Sequence, residues 1–493
     1  MSRTPLRLSE PLFSWDKTAA EERVSFDELH QRILHFHSGG FSTVDVVDGS
    51  GTPDGLFVKF DQPGLRCVRF SPDGLHFAFL CDKKRMGCVE TLHPGKEPVP
   101  LSFKWSRSDI EVLSFFWIPP LDLAVVTTQG VEVLRLSFEQ HSAKSLKAYP
   151  VAVRTCWVDP FSCMVLVGIG PRTLQPFDLK AKSPKMPKFD LVLQGRSQVI
   201  EDHEVSIMTM YDATFCIHAD STNGHVSLRN ISNPAQGTPE HDIVIDVGAA
   251  ESFTGTLRLS KVDNLLIVHS MERTVSMIFD IRHRTGSLVP CIGGPVPMAR
   301  AVGGGAQGSF EGWDFMNSAI LDAHSGMVYR LKVDMGTVLE DIVANSMQDL
   351  ASVTQLLLRR LHCRDHVVRT LSQALRARVS FQEWSSGFAV LNQAYRQTIE
   401  ALSQKATIQG RQATLSLAEL EAFISHQSIL SEKDMVSKVF YPHFMENVGE
   451  DKAREIQRRV EEVAADGGAP AADGYDQWRV PLPVEREAPA VGA

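Results

Sequence analysis

The chain has 493 residues, of which 43% are hydrophobic and 22% charged, and its formal net charge is -9. Length alone predicts about two to four domains, and the composition is typical of a soluble globular protein. The negative charge argues against a nucleic-acid-binding protein, because such proteins normally carry a basic face.

The sequence gives no sign of secretion or membrane insertion. The N-terminal stretch lacks the continuous apolar core of a secretory signal, and no apolar run approaches the roughly 20 residues of a membrane helix. The eight cysteines are scattered. Since none forms a C-x-x-C pair, we expect a protein of the reducing cytosol.

The first two thirds of the chain contain a recurring hairpin, shown most clearly by CVRFSPDGLHFAFL from Cys67 to Leu80. Apolar residues alternate on either side of a Pro-Asp-Gly turn, which is the pattern of two short strands. Similar units begin at Val24, Cys67, Glu111, Arg154, Glu204, Thr256 and Trp313. Their spacing starts at about 43 residues and stretches to about 55, close to the period of propeller blades. The pattern predicts a seven-bladed, WD40-like β-propeller.

A four-stranded blade needs an outer strand, and GLFVKFD, EPVPLSFKW and PKFDLVL fit that place in the first, second and fourth units. The seventh unit lacks one, because the pattern becomes helical after Val333. The segment from Leu6 to Trp15 is strand-like and has no other place. We therefore predict that it completes the seventh blade and closes the ring, which removes exposed sheet edges.

From Thr337 the apolar period changes from 2 to 3.6. Ser380 and Glu383 form a capping box that opens a further helix, and Ser416 and Ser431 begin two similar patterns. Together these helices predict a small bundle or the start of a solenoid. The predicted domains are a propeller over 1–335, a helical region over 336–447, an amphipathic helix over 448–466 and a disordered tail over 467–493.

The amphipathic helix is predicted from Ala453, Ile456, Val460 and Val463, which share one stripe. A Glu455–Arg459 pair at i,i+4 would support it. After Gly467 the chain is rich in Ala, Pro and Gly, a composition that favours disorder.

Motifs that carry catalytic chemistry are weak throughout. GGGAQG, from Gly303 to Gly308, matches G-x-G-x-x-G but lacks the flanking strand and helix of a dinucleotide site, so a flexible loop is the preferred interpretation. His35 with His37, and His362 with His366, have spacings compatible with metal ligands, yet no third ligand follows from the sequence. We expect structural roles for both pairs.

Three other groups of residues have both a functional and a structural interpretation. Glu201, Asp202 and Glu204 surround His203, and a solvated loop is favoured over acid–base catalysis. The lysines 180, 182, 185 and 188 punctuate one loop and could contact anionic lipid or an acidic partner, with a solvated loop as the default. Trp384 and Tyr395 are expected in the helical core. We predict no catalytic, cofactor-binding or metal-binding residue and no cofactor.

Three long strings carry a family resemblance: LSFFWIPPLDLAVVTTQGVEVLRL from Leu113, LQPFDLKAKSPKMPKFDLVL from Leu174 and KVDNLLIVHSMERTVSMIFDI from Lys261. Their order and spacing, together with RCVRFSPDGLHFAFL, resemble the regulator of the Mon–Ccz complex, a family also called Mic-one or Bulli. The resemblance runs from about Leu6 to about Asn447 and is strongest in the propeller.

The resemblance implies a non-enzymatic subunit that joins the Mon–Ccz heterodimer, the guanine-nucleotide exchange factor for the Rab GTPase of late endosomes and lysosomes. It implies peripheral membrane association, a cytoplasmic location on late endosomes and lysosomes, and roles in endosome maturation and autophagy. The exchange chemistry would belong to the partners, so no catalytic residue transfers to this chain. Family members combine an N-terminal propeller with a C-terminal α-solenoid.

The sequence departs from the family after LSEKDMVSKVF, where members usually continue into a longer helical domain. We expect most of that domain to be missing here, either because the gene model is truncated or because the lineage has lost or separated the domain. Two other functions stay open. One is a propeller–helix scaffold of another vesicle coat or tether. The other is a propeller enzyme, disfavoured because the inner-strand candidates are mainly apolar and small.

Overall fold

The computed structural model describes a large part of the chain in two compact units, residues Met1–Ser352 and Val353–Ala493. The described residues are 4–16, 22–46, 57–60, 62, 64–90, 100–103, 110–140, 142–193, 199–233, 242–247, 256–283, 289, 291–292, 294–299, 310, 312–346, 349–408, 429–430, 434–447, 452, 455 and 458.

The first unit is a seven-bladed β-propeller, which confirms the prediction. Six blades are four-stranded antiparallel sheets whose strands follow chain order. The seventh is completed by the N-terminus, so its sheet combines the two ends of the propeller sequence.

The blades begin close to the predicted unit starts. Blade 1 contains β3 (Arg23–Asp27), β4 (Arg32–His37), β5 (Gly40–Asp45) and β6 (Phe57–Lys59); blade 2 contains β7 (Cys67–Phe70), β8 (His76–Leu80), β9 (Met86–Glu90) and β10 (Pro100–Phe103). Blade 3 contains β11 (Val112–Ile118), β12 (Asp122–Thr127), β13 (Gly130–Ser137) and β14 (Ser142–Pro150); blade 4 contains β15 (Thr155–Asp159), β16 (Met164–Gly168), β17 (Thr173–Asp178) and β18 (Phe189–Asp190).

The remaining blades follow the same order. Blade 5 contains β19 (Val205–Met210), β20 (Ala213–Asp220), β21 (His225–Asn230) and β22 (Ile243–Asp246); blade 6 contains β23 (Leu257–Val262), β24 (Leu265–Ser270), β25 (Val275–Phe279) and β26 (Val296–Pro297). Blade 7 contains β27 (Trp313–Met316), β28 (Ala319–Asp322) and β29 (Met327–Val333), with β1 (Leu6–Leu8) and β2 (Phe13–Ser14).

The predicted N-terminal closure is confirmed by the strand register. β1 pairs antiparallel with β29, placing Leu6 opposite Val333 and Leu8 opposite Leu331. Further along, Phe13 of β2 pairs with Val328. The outer edge of β29 is thereby covered, because its backbone groups bond to the N-terminal strands rather than to solvent.

The turns of the blades are built by short polar side chains. In the hairpin that joins β7 to β8, the amide of Gly74 donates to the carbonyl of Ser71 at 2.8 Å, and Leu75 donates to Asp73 Oδ1 at 2.9 Å. Gly74 has a φ of +70°, which glycine adopts without steric cost. Asp220 and Asp322 organise turns in blades 5 and 7 in the same way, since aspartate side chains bond readily to backbone two residues on.

The core lies between the blades, where an apolar cluster joins each neighbouring pair around the ring. The second strand of a blade is often buried at every residue, as in β8, β16 and β24. Between blades 1 and 2 this core is rich in phenylalanine, with the ring of Phe77 packed edge-on against Phe41 and Phe60 at 5.4 and 5.3 Å. A hairpin that cannot bury its own apolar face is stabilised here by its neighbours.

Helices follow the last strand. The first unit includes α1 (Met335–Ser346), and α2 (Leu350–Leu358) spans the division between the units. The second unit contains α3 (Arg364–Arg376), α4 (Phe381–Ile408), a π-helix (Met435–Phe440) and α5 (Tyr441–Asn447). The capping box of α4 is confirmed, because Ser380 N donates to Glu383 at 3.1 Å and Glu383 N donates to Ser380 Oγ at 3.3 Å.

The second unit is held together by buried aliphatic residues and by two charged contacts. Val367 and Leu371 of α3 and Val439 of the π-helix are fully buried. Arg364 of α3 donates to Asp434 at 2.5 Å, and Arg376 donates to Glu446 from Nε at 3.0 Å and from Nη2 at 2.5 Å. The predicted helix starts at Ser416 and Ser431, the Ala453 stripe with its Arg459 pair and the tail after Gly467 lie outside the described residues.

Candidate functional site

The innermost strands of the blades surround a central channel that contains a cavity of about 430 Å³. Six of the seven blades line it, through β3, β7, β15, β19, β23 and β27 or the turns that follow them. Part of the wall is apolar, supplied by Trp157, Met208, Leu259 and Phe315. The charged residues in the lining are Asp27, Glu28 and Arg69. This cavity is the candidate functional site of the propeller.

Glu28 is positioned by the turn after β3. Its carboxylate accepts a hydrogen bond from Asn317 Nδ2 at 2.5 Å, a contact between blades 1 and 7. Burial in the channel raises the pKa of Glu28, and the hydrogen bond from Asn317 and the nearby charge of Lys261 oppose this rise. Desolvation is the larger effect, because a buried carboxylate loses hydration that one amide donor only partly replaces.

Beside Glu28, a polar network links blades 4, 5 and 6. Lys261 Nζ donates to the carbonyl of Thr209 at 3.0 Å, and its ammonium lies 5.9 Å from the centre of the Phe161 ring. Thr209 Oγ1 donates to Asp159, which also accepts from Ser162 Oγ at 2.7 Å. These bonds connect residues about 50 positions apart in sequence and so fix the relative positions of the blades.

Arg69 projects from β7 on another side of the channel. Its guanidinium carbon lies 5.6 Å from the centre of the Phe115 ring. Its Nη1 atom is buried and has no hydrogen-bond partner among the described residues. The backbone of Arg69 is held by Trp117, whose Nε1 donates to the Arg69 carbonyl at 2.8 Å. The strand is therefore fixed while the charged group is left with an unused donor.

The channel is more polar than the sequence led us to expect. The inner strands are predicted to carry mainly apolar and small residues, and most of their lining residues are of this kind, but Glu28 and Arg69 line the cavity as well. Glu28 lies in the turn after its strand, whereas Arg69 and Lys261 lie within strands. Alternation along a strand shows which residues share a face, but not which face points into the channel. No shared repeat position marks these residues in the sequence, because Glu28 lies in a turn and Arg69 lies within β7.

The two histidine pairs, His35 with His37 and His362 with His366, contact neighbouring side chains or lie at a helix junction. His35 Nε2 lies 3.0 Å from Glu22 Oε2, and the His37 ring stacks on Phe57 at 5.3 Å. His362 has a φ of +56° between α2 and α3, whereas His366 lies within α3. The two residues therefore do not share one helix. No group of three or more His, Cys, Asp or Glu residues with metal-binding geometry occurs in the described part of the chain.

The acidic cluster around His203 forms a 3-10 turn over Asp202–Glu204. Glu201 and Glu204 make a capping box, in which the amide of Glu201 donates to Glu204 at 3.2 Å. Glu201, Asp202 and His203 are exposed, and their bonds account for the turn without a bound substrate.

The lysines 180, 182, 185 and 188 are all exposed. Lys180 Nζ donates to the carbonyl of Phe161 at 3.1 Å. Trp384 and Tyr395 are half-buried on α4, and Trp384 contacts Phe440 edge-on at 6.0 Å. The GGGAQG segment lies outside the described residues.

Cysteine chemistry at the buried strands is suppressed by burial. Desolvation raises the pKa of both Cys156 and Cys216 to about 12. Both therefore stay as thiols at neutral pH, and the thiolate needed for nucleophilic attack does not form.

Within the described ranges, the helices are too short or too polar to cross a membrane.

Comparison with known proteins identifies relatives that align with most of this chain. A family model described as the N-terminal region of the regulator of MON1-CCZ1 complex matches residues 24–143. The mouse protein named regulator of MON1-CCZ1 complex is 23% identical over 479 residues, which are 90% of this chain and 71% of that protein. The human protein of the same name is 24% identical over 472 residues, 88% of this chain and 70% of that protein.

Among solved structures, a virginiamycin B lyase from Staphylococcus aureus with quinupristin covers 67% of this chain at a TM-score of 0.41 and 10% identity. This likeness is too distant to inform function. The matches to the mouse and human proteins, by contrast, extend through the propeller and into the helices, and the family model covers the first blades. The family model and the two relatives agree in what they indicate: the chain is similar to the regulators of the MON1-CCZ1 complex.

Proposed function

We propose that this chain is a non-catalytic subunit of an assembly containing MON1 and CCZ1 homologues, which activates the Rab GTPase of late endosomes and lysosomes. The chain acts on the cytoplasmic side of these membranes as a peripheral component and supports endosome maturation, autophagy and lysosomal trafficking. Nucleotide exchange on the Rab is carried out by the partners.

The observation that carries this proposal is the extent of the relationship. The alignment with the mouse regulator covers 90% of the chain and therefore includes residues of both compact units. A ring of blades with outward-facing strands and loops offers broad interaction surfaces, as repeat architectures generally do.

Affinity purification of the tagged full chain from its native cells, followed by mass spectrometry, tests the association. We expect MON1 and CCZ1 homologues in near-equal amounts. Recovery of other coat or tether subunits in their place would support the alternative scaffold function and overturn the proposal.

A nucleotide-release assay separates the subunit role from catalysis. The purified MON1–CCZ1 pair is mixed with the Rab loaded with a fluorescent nucleotide, with and without this chain. We expect release to require the pair, and the chain alone to leave the intrinsic rate unchanged. Faster release by the chain alone would show that it carries exchange activity itself.

A further inference from the structure

The charged groups lining the channel cavity differ in how fully they are used. Asp27 is satisfied locally, because one oxygen accepts from the amide of Leu29 at 3.1 Å and the other lies 2.9 Å from His30 Nδ1. The neighbouring Asp159 and Lys261 are also engaged within the polar network between blades. These groups have little capacity left for a ligand.

Arg69 and Glu28 retain such capacity. A guanidinium carries five donors. The Nη1 of Arg69 is buried without a partner, so the donors left for a ligand are those of Nε and Nη2, which make no hydrogen bond within the described ranges. Glu28 accepts one side-chain hydrogen bond, from Asn317, and its carboxylate has no other hydrogen-bonding partner in the described part of the chain. The two groups interact electrostatically. A partly desolvated cation and anion without full hydrogen bonding are costly to the folded protein.

Part of the remaining cavity wall is apolar and can contact a small apolar group. Trp157, Met208, Leu259, Phe315 and Met316 line it. The indole of Trp157 has its N–H engaged with the carbonyl of Asp202 at 3.1 Å, so its ring offers chiefly an apolar surface. A cavity of about 430 Å³ lies within the range of roughly 300–1,000 Å³ that is typical of small-molecule sites.

We propose that the propeller channel binds a free α-amino acid with an apolar side chain, whose carboxylate is bound by Arg69 and whose ammonium is bound by Glu28. Guanidinium groups bind carboxylates through paired, charge-assisted hydrogen bonds. The ammonium supplies the donors that Glu28 lacks, and the side chain lies against the apolar wall. A zwitterion matches both charges, whereas a simple anion would be repelled by Glu28 and a simple cation by Arg69. This inference does not depend on the proposed function.

Isothermal titration calorimetry on the full chain tests the site directly. Leucine, methionine and phenylalanine are the probes, each at millimolar concentration, and each is compared with its N-acetyl derivative and its amide. We expect binding of at least one amino acid. We also expect at least tenfold weaker binding of the two derivatives, because each loses a charged hydrogen-bonding group. No heat of binding with any of the three, or equal binding of the derivatives, would overturn the proposal.

Variants assign the two contacts. Arg69→Met keeps much of the side-chain length and removes the charge, and we expect it to weaken binding at least tenfold. Glu28→Gln should weaken binding of the free amino acid but have little effect on the residual binding of the N-acetyl derivative, because that derivative has no ammonium group. Arg135→Met is the matched control, since this exposed arginine pairs with Asp122 in blade 3, away from the channel.

Thermal unfolding without ligand shows whether each variant is folded. If Arg69→Met unfolds like the unmodified chain and still binds the amino acid with unchanged affinity, the assignment is wrong. If Arg69→Met does not fold, the derivative series on the unmodified chain and Glu28→Gln still decide the question.

Discussion

Closure of the ring by the N-terminus gives the most direct prediction about stability. Leu6 and Leu8 of β1 are 1% and 5% exposed and pack with Ile320 and Leu331 in the cluster between blades 6 and 7. Replacing a buried leucine by alanine costs about 2–5 kcal/mol, from lost transfer free energy and the cavity that remains. We expect each of Leu6→Ala and Leu8→Ala to lower the free energy of unfolding by that amount.

The double variant has a larger consequence. Folded domains are stable by only about 5–15 kcal/mol, so two such losses remove much of the margin, although neighbouring sites are not strictly additive. Urea unfolding followed by tryptophan fluorescence measures the change as a shift of the midpoint. Arg7→Ala is the control on the same strand. Its side chain is 47% exposed and pairs with Asp334 at 2.9 Å, an exposed contact worth roughly 0–1 kcal/mol.

Removal of the strand tests the same closure in another way. A chain that begins after Asp16 lacks β1 and β2, so the outer edge of β29 is uncovered. Uncovered edges pair with other chains, and we expect light scattering to show association at concentrations where the full chain is monodisperse. Leucine variants that unfold like Arg7→Ala, together with a monodisperse truncated chain, would refute the closure.

Three further predictions concern other parts of the propeller. Gly87→Ala places a Cβ 2.5 Å from the Leu101 carbonyl oxygen and 2.8 Å from the Phe79 ring, so we expect the free energy of unfolding, measured in urea, to fall by about 1–3 kcal/mol. The control is Gly170→Ala, whose Cβ would meet only Thr173 at 3.2 Å and which should destabilise the protein much less. Equal losses for the two variants would contradict the packing argument. The Arg229 side chain is 5% exposed, bonds to Asp242 and lies 4.5 Å from the Phe189 ring. We therefore expect Arg229→Ala to lower the free energy of unfolding by about 3–5 kcal/mol, because it leaves Asp242 unpaired. Arg135→Ala, which removes an exposed ion pair, should leave the urea midpoint unchanged. Burial lowers the pKa of His269 to about 3 from 6.5; the unfolded chain therefore binds a proton that the folded chain excludes, and stability falls as pH drops from 6.5 towards 3, at up to about 1.4 kcal/mol per pH unit. In the variant His269→Gln, the urea midpoint should depend less on pH in that window, whereas His203→Gln, at an exposed position, should leave the pH dependence unchanged. If His269→Gln does not change the pH dependence, the buried imidazole is not held neutral as we infer.

The repeat could be predicted from sequence because its signals are local. Alternation in CVRFSPDGLHFAFL, the turn residues around Asp73 and the change of period after Val333 each depend on neighbouring positions. The closing strand was also predictable, since Leu6 to Trp15 was strand-like and the seventh unit lacked a strand. The helical capping box at Ser380 needed only a spacing of three residues.

The channel site was not predictable in the same way. Glu28 and Asn317 are 289 positions apart and meet only because the ring closes. The alternation of a strand tells which residues share a face, but not which face points into the channel or which charges from other blades lie opposite. The sequence thus determined the repeated unit, its number and the strand that completes it, since these follow from periodicity and turn chemistry. The tertiary structure alone decided that Glu28, Arg69 and Asn317 share one cavity, because that juxtaposition arises from the arrangement of seven blades around a common axis.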